Sequence, residues 1–196
     1  MIKKFNDFNT TRAYTDNTSL PRGGYVCKII GAKPEENQYG QRIRIAFDIV
    51  EGEYANYYQQ KYDSSTSEDK KWSGTFTLNV PADDGTEKDG WTKRKFRTFT
   101  DALEDSNPGY HFDWDETKFK GKLIGFVFNC REWYSPEGKL ILIPNAKLST
   151  SIDKIRNGNF KIPKDDPARN RPASVQRPEA DEFMSVPAGV DEELPF

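Results

Sequence analysis

The stretch from Gln41 to Val50, QRIRIAFDIV, decides the fold. Ile43, Ile45, Phe47 and Ile49 fall on one side of an extended chain, and Arg42, Arg44, Ala46 and Asp48 on the other. That period of two marks a strand with one face on a core. Upstream, Gly24 to Lys33 (GYVCKIIGAK) opens a first strand after a Pro-Arg-Gly-Gly turn, and Asn37-Gln38-Tyr39-Gly40 reads as the hairpin turn between the two. Downstream, Trp72 to Val80 (WSGTFTLNV) is a third strand closed by Pro81, followed by a polar loop through Asp83-Asp84-Gly85 and Lys88-Asp89-Gly90.

Lys93 to Asp105 then changes period. Phe96, Phe99, Ala102 and Leu103 recur at three and four, which predicts a helix, and Asn107-Pro108-Gly109 stops it. Gly121 to Cys130 (GKLIGFVFNC) is a fourth strand with little alternation, expected where both faces are partly covered. Ser135-Pro136-Glu137-Gly138 is a turn, and Lys139 to Pro144 (KLILIP), with Leu148 as its furthest limit, is the fifth strand. Tyr54 to Tyr62 fits either a short helix or an extended loop. Five strands with one helix between the third and fourth predict a mainly β domain, an OB-fold-like five-stranded barrel of the kind that binds oligonucleotides. Gly125 inside strand four suits the bend at a barrel corner. The alternative is another small β-rich α+β domain.

Residues 161–196 carry Pro163, Pro167, Pro172, Pro178, Pro187 and Pro195 with few large apolar residues between them. This composition predicts a disordered, Pro-rich C-terminal tail, because proline removes backbone donors and too little apolar surface offsets the entropy of ordering. The organisation expected is therefore an N-terminal arm over 1–20, an OB-like domain over 21–160, and the tail over 161–196. The last 18 residues contain Glu179, Asp181, Glu182, Asp191, Glu192 and Glu193 and no Lys or Arg. The whole chain has net charge −2, but without those six acids residues 1–178 carry 29 basic against 25 acidic residues, or +4. A mildly basic body on an acidic tail is the asymmetry of a nucleic-acid binder with a separate partner-docking or self-competing segment. The bland reading is a solubilising tail. Arg169, Arg171 and Arg177 make its first half basic, and Phe183-Met184 is a second small apolar cluster.

The chain ends Asp191-Glu192-Glu193-Leu194-Pro195-Phe196. This ending resembles the acidic tip of bacterial single-stranded DNA-binding proteins, which docks replication and repair partners. A terminal Phe fills an apolar pocket while the carboxylates meet Lys or Arg on its rim. A wider resemblance rests on FNDFNTTRAYT and LPRGGYVCKI near the start, FDIVEGEYANYY from Phe47, ALEDSNPGYHFDWDETKFKGKLIG from Ala102 and SIDKIRNGNFKIP from Ser151. Together these look like a family of small phage and conjugative-element proteins of Gram-positive hosts, treated as single-stranded DNA-binding. The resemblance implies sequence-independent single-stranded DNA binding in mobile-element replication and recombination, within the cytoplasm of a bacterial host cell. The core differs from that of cellular single-stranded DNA-binding proteins, so only the tip is carried over from them.

Sequence-independent binding needs cations for phosphates and aromatic faces for bases. Four places interleave the two: Tyr39 with Arg42 and Arg44 on the polar face of strand two; Lys70-Lys71-Trp72, with Phe76 just downstream; Trp91 with Lys93, Arg94 and Lys95 at the expected mouth of the helix; and Arg131 with Trp133 and Tyr134. For the first the bland reading is a solvated sheet face, and for the second Trp72 or Phe76 as core. In the third, cations at a helix start oppose the dipole, a cost that hints at a phosphate ligand, against the alternative of a solvated turn.

The N-terminus has no apolar stretch that would serve as a signal peptide, and no run approaches the roughly 20 apolar residues of a membrane span. Cys27 and Cys130 read as reduced core thiols, and one histidine, His111, makes no zinc site. Glu137-Gly138-Lys139 with Asp113 or Asp115 loosely matches the carboxylates and lysine of metal-dependent nucleases, but Ser-Pro-Glu-Gly has a sufficient reason as a turn. The expectation is a protein without catalytic residues, metal or cofactor, with self-association open. A protein-interaction adaptor that uses the tail without binding DNA is the competing class.

Overall fold

The computed structural model describes residues 19–38 and 40–170. Five strands form one antiparallel sheet: β1 (Gly23–Asn37), β2 (Gly40–Ile49), β3 (Thr75–Asn79), β4 (Leu123–Tyr134) and β5 (Leu140–Thr150), in the order β3-β2-β1-β4-β5. Helix α1 (Tyr57–Ser64) joins β2 to β3, α2 (Glu87–Ser106) and a 3-10 turn at Glu116–Phe119 join β3 to β4, and α3 (Ile152–Arg156) follows β5. The sheet is open. Strands β3 and β5 are its two edges, and no ladder joins them among the described residues.

Strand β2 behaves as its alternation requires. Ile43, Ile45, Phe47 and Ile49 are all buried, and Phe47 sits among the rings of Phe126 (4.7 Å between centroids), Tyr58 (5.5 Å) and Phe128 (6.0 Å). Strand β1 is long because it pairs with β2 along one edge and with β4 along the other. A bulge at Ile30, between the pairs Ile29↔Phe47 and Gly31↔Ala46, pushes that side chain outward to 43% exposure and shifts the alternation beyond it.

The segment from Tyr54 to Tyr62 resolves into a turn and α1. Its start is held by Asp48, a buried carboxylate whose Oδ1 accepts from the N–H groups of Ile49 (2.8 Å) and Tyr58 (2.9 Å) and whose Oδ2 accepts from Gln59 (3.0 Å). A β2 side chain thus satisfies amides at the first turn of a helix with no capping side chain of its own.

Helix α2 begins at Glu87, six residues before the Lys93 start expected from its apolar spacing. Thr86 Oγ1 caps the Asp89 amide at 3.1 Å, and Glu87 and Asp89 place negative charge in the first turn. Lys93, Arg94 and Lys95 therefore lie in the second and third turns, and the expected conflict with the helix dipole is absent. Phe96, Phe99, Ala102 and Leu103 do form the core face, with Phe99 stacked on Phe76 at 5.9 Å and 10°.

Gly125 has a different role from the corner bend expected. A Cβ there would stand 2.5 Å from Ile155 and 2.9 Å from the Thr150 carbonyl, while one at Gly24 would meet Ile155 and Phe160 at 2.7 Å. The two glycines make the hollow into which α3 and Phe160 pack. The chain then continues beside β4. Strand β1 leaves β4 at Gly23↔Phe128, and from there residues 164–170 take its place. The Asp166 amide donates to the Cys130 carbonyl and the Glu132 amide to the Asp166 carbonyl, both at 2.9 Å, and Asn170 bonds both backbone groups of Tyr134. The tail, expected from residue 161 on, is thus held against the sheet as far as Asn170. Cys27 and Cys130 are buried free thiols, and no described helix is long and apolar enough to cross a membrane.

Asp165 anchors this segment. Its carboxylate accepts from the Arg22 guanidinium and, at 2.9 Å, from the Cys130 amide, which together lower its pKa to about 2. A depressed carboxyl stabilises the folded chain above its unfolded pKa, about 3.9, and that stability is lost as pH falls through the folded value. Urea titrations should show wild type losing stability between about pH 4 and 2, and Asp165→Asn should be weaker at pH 7 and flatter across that window. Equal pH profiles would contradict the anchor. Replacing Asp48 with Ala should cost about 2–4 kcal/mol, since three amides lose a charged acceptor. A loss below about 0.5 kcal/mol in the same titration would show that Asp48 does not hold α1.

Candidate nucleic-acid interface

No ladder joins the five-residue β3 to β5 among the described residues, and a cleft of about 710 Å³ opens where the two edges approach each other, beside one face of α2. Its lining includes Arg44 from β2, Lys88, Trp91 and Lys95 from α2, Arg131 from β4 and Lys147 from β5. Among the described residues no Asp or Glu lines it. The α2 contribution follows from the helix period, since Lys88, Trp91, Thr92 and Lys95 are spaced i, i+3, i+4 and i+7. Lys88 and Lys95 lie about 10 Å apart along the axis at 1.5 Å per residue. Trp91 is 56% exposed, and the Arg94 guanidinium lies over its ring at 5.1 Å. Phe76 adds an apolar patch on the β3 side.

The other cations of the cleft are partly committed. Lys147 Nζ meets Asp166 at 2.6 Å, Arg131 donates to Asn145 Oδ1 at 3.0 Å, and Arg44 lies 3.5 Å from Glu35. No ion pair engages Lys88 or Lys95 among the described residues. A second hollow of about 460 Å³ adjoins the first, sharing Asn79, Lys88 and Thr92 and adding Arg42 and Arg169. Arg169 reaches this second hollow from the segment that ends with Asn170 on the Tyr134 backbone.

The four sequence candidates separate. Trp91, Lys95, Arg131 and Arg44 come together in the cleft, although they were drawn from three different groups. Arg42 lies outside it, bonded through Nε and Nη2 to Glu35 (3.0 and 2.8 Å), its cross-strand partner. Arg42's hydrogen bonds, aided by the charge of Arg44, keep the Glu35 carboxyl below its ordinary pKa against the opposing effect of desolvation. Tyr39 lies outside the described residues, as do Asp191, Glu192, Glu193, Leu194, Pro195 and Phe196.

Lys70, Lys71 and Trp72 stand on the α1 side instead. The Trp72 indole donates to the carbonyls of Phe47 (3.1 Å) and Gly74 (3.0 Å), Lys71 pairs with Asp69, and Lys70 lies over the Tyr62 ring. Lys93 points to Asp83 and Asp89, which hold its ammonium above its ordinary pKa. Burial pushes the Asp89 carboxyl up, but Lys93 and the amides of Ala82 and Asp83 outweigh it and keep the group below its ordinary value. Tyr134 is buried, and Trp133 is half exposed further along β4, away from the cleft.

Lys88 and Lys147 were missed. Thr86-x-x-Asp89 is a capping signal that would have placed Lys88 on the Trp91–Lys95 face. Lys147 is the extra residue at a β5 bulge, between Val127↔Leu148 and Phe128↔Ala146, which alternation does not reveal. Trp114, 77% exposed and stacked on Phe96, was also passed over and does not line the cleft. Asp113 and Asp115 are paired with Lys118, and Glu137 lies in the β4–β5 turn; no group of three or more His, Cys, Asp or Glu gathers to hold a metal among the described residues. Compared with protein-family models and with curated proteins, the chain matches none.

Proposed function

We propose that this is a non-enzymatic, sequence-independent single-stranded DNA-binding protein of a phage or other mobile element, acting in replication or recombination in the host cytoplasm. The observation that carries the reading is the α2/β3/β5 cleft, lined among the described residues by five cations, no acid and an exposed tryptophan. The cations suit the phosphate backbone, and Trp91 and Phe76 suit unpaired bases, whose faces a duplex hides. The strand order supports an OB-like body opened at its β3–β5 seam, with ligand in the seam. The acidic tip, Asp191 to Phe196, recruits replication and recombination proteins and competes with DNA for the cleft. The cations of the cleft support that competition.

In anisotropy titrations with labelled oligo(dT), Lys88→Ala and Lys95→Ala should each weaken binding and reduce the salt slope by about 0.7. Trp91→Ala should weaken it roughly 5- to 150-fold, the worth of one stacked base, while Lys71→Ala, on the α1 side, should leave affinity unchanged. Loss at Lys71 with retention at Trp91 would move the site to the α1 face. Deleting Glu179–Phe196 should tighten oligonucleotide binding and abolish capture of a docking partner. Weaker binding after truncation, or docking that survives without Phe196, would overturn the tail's role.

A further inference from the structure

The far half of the β4–β5 hairpin carries a surface that DNA binding does not use. Leu140, Ile141, Leu142 and Ile143 follow one another on edge strand β5, each 41–45% exposed, with Trp133 46% exposed opposite Ile141. Four consecutive aliphatic residues uncovered on both faces of an edge are a template for another strand. The other edge of this hairpin is already occupied by residues 164–170.

Which backbone groups are free follows from the ladder. The Ser135 amide donates to the Lys139 carbonyl at 2.9 Å, while Cys130 and Glu132 bond to Asp166 on the opposite side. Odd-numbered β4 residues therefore bond to β5, so Ile141 and Ile143 are turned inward and the N–H and C=O of Leu140 and Leu142 face out. Pro144 has no N–H to offer, and the bulge at Lys147 disrupts the strand beyond it. The edge is thus blocked along the cleft and open only over the aliphatic run.

We infer that this edge pairs with the same edge of a second copy, antiparallel about a two-fold axis at Ile141. This register sets Leu140 against Leu142 of the other copy twice over and forms four backbone hydrogen bonds. Lys139 faces Ile143, so no like charges meet. Centring on Leu142 instead would set Leu140 against Pro144 and lose donors. The exposed surface of these residues is roughly 450 Å² per copy, and edge pairing covers only part of it, so the contact stays below the roughly 1,000 Å² of a stable interface. A weak dimer, in the upper micromolar range, is expected. The two clefts stay open on one continuous ten-stranded sheet, and the pairing stands whether or not they bind DNA.

The test is sedimentation equilibrium of the full-length chain over a concentration series, without DNA. Wild type should pass from monomer to dimer in the upper micromolar range. Ile141→Lys and Ile141→Glu each put like charges across the axis and should be monomeric, with unchanged circular dichroism because the side chain is exposed. Mixed in equal amounts, the two should form a heterodimer. A wild-type chain that stays monomeric to several hundred micromolar, Ile141→Lys that still dimerises, or a mixture that stays monomeric would each overturn the proposal. If one charged variant unfolds, Leu142→Pro, which removes an outward N–H, must dissociate the dimer.

Discussion

Phe47 is the point on which the other elements depend. Its ring holds Phe126, Phe128 and Tyr58 together, while its amide donates to the Gly74 carbonyl and its own carbonyl accepts from the Trp72 indole. A Cβ at Gly74 would collide with that carbonyl. One residue on β2 therefore places β4, α1 and the entry to β3. Its neighbour Asp48 binds the first amides of α1. The packing term is non-directional and large, while the hydrogen bonds are small but fix geometry. The seam that remains between β3 and β5 carries no ladder among the described residues.

That seam makes the candidate site. A β3 long enough to pair with β5 would close the seam and bury the polar strip that now carries Arg44, Arg131 and Lys147. Instead α2 lies beside the opening and adds Lys88, Trp91 and Lys95 from its first three turns, while later turns supply Phe96, Phe99 and Leu103 to the core. One helix serves both layers, its early residues facing the cleft and its late ones the sheet. The same economy marks β5, whose second half lines the cleft and whose first half presents a free aliphatic edge.

How much of this was legible in the sequence follows from where side chains face. β2 was readable residue by residue because one face is wholly buried, and the strand count, helix and turns came with it. The first two turns of α2 were not, because apolar periodicity reports contact with the core and those turns face the cleft. Trp72 looked like a surface platform beside two lysines, yet its indole N–H had two backbone carbonyls to satisfy across 25 and 2 residues of chain. Gly125 looked like a bend, and only the position of Ile155 shows that it makes room. The open seam was not visible either, since strand order is set by long-range pairing that local pattern does not encode. Arg44, Trp91, Lys95 and Arg131, which line the cleft, were singled out by chemistry alone, as cations near aromatics in the chain.

The most direct test of the central claim is to photocrosslink the full-length protein to oligo(dT) carrying 5-iodouracil and map the attachment points by mass spectrometry. Crosslinks should fall on Trp91 and Phe76 and disappear when unlabelled single strand, but not duplex, is added. Crosslinks at Trp72 and Tyr62, or none that single strand displaces, would contradict a strand held between β3, β5 and α2.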